Sequence, residues 1–565
     1  MYQRQPERSV RRATIKNEGS DPSTGKIDIA SKRLLEEEDR PMERFDVCIV
    51  GSGLAGMSGA YEAAKAGASV CLTGKGGVGK ASATSMSAGI FTHPTEGLRE
   101  EELLKATIDI GRNVNDERLV RILVTNGRTV PEFLSEVGMA YETKPSGITL
   151  RRQRLMFPGV ELAQLMRKVL AELGVVLFER CVTESLVLER NRCIGTLNSD
   201  KNGNAFPIAS RSTILATGGF CAVFGDHDNP SGSVGEGIAM GLKAGAFARD
   251  LEFVQFFPIG MKQEGFPPFV LFPPYVDGAR IVNDKGNDVL KKRVPEETNL
   301  TRAVLLQRDK VCQAIAFEEG RGRKCYLDLS NATGWDEIDT MTLNSMYQLK
   351  TYGFSPSDGK IRICPTAHHS MGGLVIDEHC QTGVVDLYAA GEVVGGLHGA
   401  NRRGGNALTE ALVFGRIAGR RAAERAMSRQ ETSSTKTLDD MLTMKEKDSA
   451  YLSKMRKTIG EVCTKSLGIV RSREGLVNGL GCVNRLRQEA RSTSEVSVGN
   501  GKKDIESILV VVEGALNSAL LRQESRGSHF RRDFPVEDER WLGHVEVSMS
   551  GGDLIYSFVS KKTLT

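Results

Sequence analysis

The chain has 565 residues, a formal net charge of +4 at pH 7, 40% hydrophobic and 26% charged residues. That length exceeds one ordinary core and points to two or three domains, while the near-neutral charge gives no argument for nucleic acid or an acidic membrane as a partner. Its 61 glycines exceed the usual ~7% and mark many places where backbone approaches a ligand or takes positive φ.

The first 42 residues are polar and charged. Arg11-Arg12 follows Ser9, but no apolar segment follows it, so the tail reads as disordered rather than as an export signal. No run of 18 apolar residues occurs, so no membrane span is expected. The eleven cysteines are scattered and none forms a CxxC pair. Metal and iron–sulfur sites need clustered thiolates, so no metal is expected and a cytosolic protein with reduced, buried thiols is.

Order is expected from residue 43. Phe45–Val50 is a buried parallel strand by pattern, followed at once by Gly51, Gly53 and Gly56, a helix to about Ala66, and a second strand over Ala68–Thr73. A GxGxxG at the turn of a complete βαβ unit is a dinucleotide-binding signature, in which glycines and the helix N-terminus reach a pyrophosphate. The next stretch, GKGGVGKAS (Gly74–Ser82), imitates a P-loop. Ala81 stands where a nucleotide-triphosphatase needs a Mg²⁺-binding hydroxyl, and the sequel ASATSMSAGIFTH has no helical period. Its position at the end of the second strand makes it a ribose-side loop, with Thr73 in the place of the usual acid.

Helices are expected over Glu101–Gly111, Asp116–Val137 and FPGVELAQLMRKVLAELG. Three strand-like runs follow (VVLFER, ESLVLER, CIGTLN), read as a meander, and then an apolar strand ending in Ala216-Thr217-Gly218-Gly219. Residues 251–360 fit neither neighbour and read as an inserted cap. The dinucleotide-type sequence resumes over 361–427, a polar linker follows, and 438–535 reads as helical, with a C-terminal extension over 536–565.

CPTAHHSMGGLVID (Cys364–Asp377) and LYAAGEVVGGLHGANRRGGNALTEALVFGRIAG (Leu387–Gly419) make the resemblance specific, with GEGIAMGLKAGA, LEFVQFFP and ESRGSHFRRDFP in order. The chain resembles the flavoprotein family of fumarate reductase, succinate dehydrogenase and L-aspartate oxidase from about Phe45 to its end. The implied fold is α/β: a Rossmann-like, two-dinucleotide-binding FAD domain (43–250 and 361–427), an inserted α+β cap and a C-terminal helical domain.

By that resemblance, Gly51, Gly53 and Gly56 hold the pyrophosphate of FAD, with Ala216, Thr217 and Gly218 beside them. Thr73 and Lys75 lie at the adenosine ribose, and Ser87-Ala88-Gly89 at the flavin. Glu236 replaces the family's Asp, Glu392 binds the ribityl region, and Ala407-Leu408 pass along the isoalloxazine. Ser82 aligns with the residue that is a flavin-tethering His in some members, so the resemblance implies non-covalent FAD.

The family moves a hydride between flavin N5 and a carbon–carbon bond of a dicarboxylate, or a carbon–nitrogen bond in the amino-acid oxidase. Arg402 aligns with a carboxylate-binding Arg, His368 with a substrate-binding His, and His398 lies beside the site. The cap departs from the pattern: Phe257 replaces a His, Leu271 and Phe272 replace Thr and Glu, and Tyr275 replaces an Arg. Asp277 and Asn283 are retained. Tyr275 becomes the candidate for the proton role, with Arg280 as its substitute in another register. An apolar wall opposite a carboxylate clamp points to an apolar monocarboxylate, since it leaves a second carboxylate desolvated without a partner.

Three functions stay open: an oxidoreductase of this type with altered specificity, an ordinary fumarate reductase, succinate dehydrogenase or L-aspartate oxidase, and a non-catalytic FAD-binding subunit. The chain carries no CxxCH or clustered thiols. Electrons are therefore expected to pass to a quinone, O₂ or a separate iron–sulfur subunit. The expected location is cytoplasmic, at the membrane only through a partner.

Overall fold

The computed structural model describes residues 43–151, 158–266, 269–294, 299–336, 346–429, 449–492 and 500–561. The expected N-terminal tail and most of the linker after residue 427 lie outside the described residues.

A seven-stranded sheet builds the first layer. Glu43–Val50 lies between Val70–Gly74 and Ala205–Leu215, parallel to both. Its buried half, Val47–Val50, is continuous apolar sequence, as a strand covered on both faces requires. Ala205–Leu215 pairs antiparallel with Arg192–Ser199 through its first half. Through its last residues it runs parallel to Leu387–Ala389, which brings distant sequence to the same sheet end.

Two sequence expectations are corrected here. Val176–Glu179 does not join the meander but adds in parallel beyond Val70–Gly74, because the helix Pro158–Glu172 makes it the return strand of a βαβ crossover. The helix expected over 116–137 is two helices, Glu117–Gly127 and Val130–Glu136, with Pro131 opening the second.

Backbone proximity fixes the first turn. Gly51 sits at φ +116°, where a Cβ would lie 2.2 Å from the Ala216 carbonyl oxygen, and a Cβ on Gly56 would lie 1.9 Å from the Gly51 oxygen. The two glycines let the helix Leu54–Lys65 close onto its own strand and onto the Ala-Thr-Gly-Gly turn.

The cap is a four-stranded antiparallel sheet in the order Val254–Met261, Lys360–Ser370, Cys325–Asp328, Arg280–Asn283, with the helices Leu300–Leu306 and Arg308–Glu319. It has its own apolar core, including Phe257, Leu271, Tyr275, Ile281, Ile315 and Leu327. Lys360–Ser370 runs through this sheet and ends at His368-His369-Ser370, where His369 and Ser370 pair with Gln255 and Val254.

Three helices, Ser449–Ser466, Arg473–Ser492 and Asn500–Leu521, form the C-terminal part. The terminal hairpin Gly543–Ser550 and Asp553–Ser560 pairs back onto Ala248–Arg249. Arg522, fully buried, locks this junction: it donates to Glu252 Oε1 at 2.6 Å, Glu524 Oε1 at 3.0 Å and the carbonyls of Trp541 and Gly543. Asp250 pairs with His544 at 2.6 Å beside it. Among the described residues, no helix is long and apolar enough to cross a membrane.

Candidate active site

A cavity of about 900 Å³ runs from the first βαβ turn to the underside of the cap, at the upper end of the ~300–1,000 Å³ that small-molecule and cofactor sites occupy. Every expected cofactor residue except Gly56 lines it, as do His368 and Arg402. Gly56 lies one turn into the helix, where its contact is with Gly51.

At one end the helix Leu54–Lys65 presents its N-terminus with Gly53 at the cap position, no side-chain cap and no acid in its first turn. Thr84 Oγ1 accepts from the Leu54 N–H at 2.9 Å, and the dipole and the other first-turn N–H groups are left for an anion. Lys75 reaches across to Glu236 Oε1 at 3.0 Å, the first residue of the helix Glu236–Lys243. Glu236 Oε2 and Thr217 Oγ1 are buried without a protein partner. Thr73 stands beside Cys181 and Thr183 on the wall, its Oγ1 3.1 Å from that of Thr183. Ser82 also lines the cavity, its hydroxyl donating to the Gly79 carbonyl at 3.3 Å.

Ser87-Ala88-Gly89 and Ala407-Leu408, at the start of the helix Asn406–Met427, both line the cavity. Glu392 Oε1 accepts from the Ser370 amide at 3.0 Å and its hydroxyl at 3.2 Å. Burial outweighs these donors and pushes its carboxyl up to about 7.

The far end is cationic and aromatic. His368 Nδ1 lies 2.7 Å from Asp228 Oδ2, and burial holds the ring below its ordinary value despite that acid. Arg402 and Arg308, both buried, line the cavity together. Arg402 Nη2 and Arg308 Nη1 each donate to Gln255 Oε1 at 3.0 Å, so the two donor nitrogens lie no more than about 6 Å apart. Two like charges at that separation repel by on the order of 2–3 kcal/mol at an effective dielectric of ~20. Burial and the neighbouring Arg308 push Arg402 down to about 10. Nε of each arginine is buried without a protein partner. Unfilled buried donors on two adjacent cations describe a receptor for a carboxylate.

Several expectations are corrected. Tyr275 does not reach the cavity: its hydroxyl donates to the Leu271 carbonyl at 2.7 Å inside the cap core, and burial drives its pKa up. Arg280, the substitute, is half exposed and pairs with Asp328 at 3.4 Å. His398 sits behind the wall, its Nε2 2.9 Å from Glu410 Oε2 and its ring edge-on to His369. Leu271 is core, and Phe257 lies under the Arg308 guanidinium at 4.8 Å rather than on the cavity surface. Of the four changed cap positions only Phe272 lines the cavity. Pro273, Pro274, Leu305 and Leu306 extend its apolar wall, and the two leucines are 50% and 59% exposed.

Sequence reasoning missed Arg308, Gln255 and His369. A signal for Arg308 existed: it falls at i of an i, i+3, i+4, i+7 stripe with Val311, Cys312 and Ile315, all buried. A cation on an apolar helix face is rarely buried without a task.

The parallel strands at the centre of the mixed sheet, the glycine turn and the orphaned polar atoms along one long cavity define a two-dinucleotide-binding flavoprotein. Residues 46–408 match the family model described as FAD binding domain, and residues 456–564 that described as Fumarate reductase flavoprotein C-term. The chain is 32% identical over 538 residues to a protein of Methanocaldococcus jannaschii named an uncharacterized FAD-dependent oxidoreductase, covering 89% of this chain and 96% of that one. It is 31% identical over 530 residues to one of the subunits of the fumarate reductase (CoM/CoB) of Methanothermobacter marburgensis, covering 88% and 95%. A solved quinol-fumarate reductase with menaquinol molecules matches with a TM-score of 0.80 at 25% identity, over 92% of this chain and 98% of that one. The chain belongs to the FAD-dependent oxidoreductase family of fumarate reductase and succinate dehydrogenase flavoproteins, and its cofactor is FAD.

Proposed function

We propose that this oxidoreductase acts on the α,β bond of a monocarboxylate carrying an apolar substituent, with FAD held non-covalently. The observation that carries the reading is one cavity end with two unneutralised guanidiniums facing an apolar wall. Gly51, Gly53, Thr217 and Gly218 would hold the pyrophosphate side, Lys75 and Glu236 the adenosine side, and Glu392, Ser87–Gly89 and Ala407-Leu408 the flavin side. Bound FAD would supply the two-electron chemistry, as hydride donor or acceptor.

The chain's own residues do the rest. Arg402 and Arg308 clamp the substrate carboxylate and orient the adjacent double or single bond. The neutral His368, fixed by Asp228, packs its ring beside them. Arg308 also moves the proton at the carbon that does not exchange the hydride, since it reaches the cavity from the cap with its Nε buried and unfilled. Phe272, Pro273, Pro274, Leu305 and Leu306 exclude water and take the tail. Each methylene they bury contributes about 0.8 kcal/mol, whereas a second carboxylate placed there loses its hydration with no partner.

A second reading keeps a dicarboxylate: two arginines, one per carboxylate, suit fumarate or succinate. One experiment separates the two. The purified yellow protein is supplied with reduced viologen as electron donor and offered fumarate or trans-2-octenoate. The proposed function expects octenoate to win in kcat/KM by about 10-fold or more, and equal or faster turnover of fumarate refutes the apolar tail. Acid precipitation should leave the yellow colour in the supernatant; colour in the pellet refutes non-covalent binding. We assign electron exchange to a separate carrier, whether quinone, O₂ or an iron–sulfur subunit, because the sequence holds no cluster or haem motif.

A further inference from the structure

We propose that Gln255 is the positioning residue of the carboxylate clamp, and that its lack of charge is what keeps the clamp open to a carboxylate. The inference rests on the carboxylate reading above. Gln255 is 2% exposed on the first strand of the cap sheet. Its ladder with Lys360–Ser370 shifts register between Gln255 and Phe256, an irregularity of the kind that re-aims a side chain.

The amide uses every hydrogen-bonding position it has. Nε2 donates to Asn401 Oδ1 at 2.7 Å and to the Arg402 carbonyl at 2.9 Å. Oε1 accepts from Arg308 Nη1 and Arg402 Nη2, each at 3.0 Å. An amide offers two donors and two lone pairs, so none is left over. Asn401 Oδ1 also accepts from the Arg402 amide at 3.1 Å, which fixes the amide orientations at both residues.

The acids near the arginines are committed elsewhere. Asp228 is on His368, Glu410 on His398 and Glu392 on Ser370. Among the described residues no carboxylate pairs with Arg308 or Arg402. Gln255 is thus the group that holds the two cations side by side, one from the cap and one from the FAD domain. A neutral oxygen does this without cancelling their charge. A carboxylate at 255 would fill the need that the substrate is meant to fill, and a hydrocarbon would leave two buried like charges free to splay apart.

The test uses the FAD-loaded enzyme and the variants Gln255→Glu and Gln255→Leu. Binding of trans-2-octenoate, its neutral analogue trans-2-octenamide, and fumarate is followed by perturbation of the flavin absorbance. The wild type should prefer octenoate to octenamide. Gln255→Glu should weaken octenoate by on the order of 100-fold while octenamide changes by less than about threefold, erasing the preference. Gln255→Leu should weaken octenoate by about 10-fold and octenamide by less than about threefold, narrowing the preference. A purely structural role would weaken the acid and the amide alike. Retention of the wild-type preference in Gln255→Glu overturns the proposal and leaves the carboxylate reading standing. If that variant does not fold, Gln255→Leu decides, and an octenoate affinity within about twofold of wild type overturns the proposal. A wild type that binds neither octenoate nor fumarate overturns both.

Discussion

Glu392→Gln, made in the flavin-free protein, turns the buried carboxyl into a measurable slope of stability against pH. Burial raises Glu392 from 4.5 to about 7 in the folded chain, against the Ser370 donors and the charge of Arg402. The unfolded chain releases this proton near its ordinary value, so between those limits the native state holds a proton that the unfolded state has lost. The stabilisation from this group is therefore complete below about pH 4.5 and disappears as pH rises through 7. At 1.36 kcal/mol per unit the span amounts to about 3 kcal/mol. His368 and His369, whose pKa values burial lowers, act in the opposite sense. Only the difference between wild type and variant isolates Glu392. Urea unfolding at pH 5 and pH 8 supplies that difference. The Gln variant, neutral throughout, should gain about 2.5 kcal/mol on wild type between the two conditions. Parallel curves would mean that Glu392 ionises freely in its folded site, and the burial argument would fail.

Arg522→Ala should cost about 3–5 kcal/mol in urea unfolding, because Glu252 and Glu524 are left buried without their cation; a loss under 1 kcal/mol contradicts the lock. Tyr275→Phe should leave kcat within about twofold and cost about 1 kcal/mol of stability for the bond to Leu271; a tenfold drop in kcat would return the proton role to Tyr275. Arg308→Lys should lower kcat by on the order of 100-fold with flavin content unchanged, since an ammonium loses the bidentate fork. If His368→Ala costs more than Arg308→Lys, the His368–Asp228 pair carries the proton instead.

From sequence the residues that line the cavity at the first βαβ turn are legible and those at the cap end only partly so, for a physical reason. Gly51, Gly53 and the Ala216–Gly218 turn act through backbone geometry at fixed spacing, so a motif describes them completely. Glu392 and Arg402 sit in contiguous stretches whose strand and helix ends place them together. The cap residues work differently. Whether Tyr275 or Arg308 faces the cavity depends on how a strand, a proline turn and two short helices pack, and spacing to a neighbouring motif says nothing about that. Val176–Glu179 failed for a related reason: its composition marks a strand, but which edge it joins follows from the crossover helix before it.

Phe257, Leu271, Phe272 and Tyr275 look in sequence like one coordinated change toward an apolar wall, yet they divide into three jobs. Leu271 and Tyr275 fill the cap core. Phe257 offers its ring face to Arg308 at 4.8 Å, supporting a cation without neutralising it, as the Gln255 oxygen does at 3.0 Å. Only Phe272 touches the cavity, its ring 4.9 Å from Phe257 and 6.1 Å from His368. The proposed specificity for an apolar tail then depends on Phe272 with its proline and leucine neighbours, and one substitution tests it. Phe272→Glu restores the acid that the family resemblance places there and puts a charge against the tail. Turnover of trans-2-octenoate should fall by on the order of 100-fold, the cost of several kcal/mol for desolvating an unpaired carboxylate beside hydrocarbon. Phe257→His, under the arginine, should lower kcat for fumarate and octenoate in equal proportion, because it disturbs the clamp and not the wall. If Phe257→His instead changes the ratio between the two substrates as much as Phe272→Glu does, the division of labour is wrong and the four residues act as one surface.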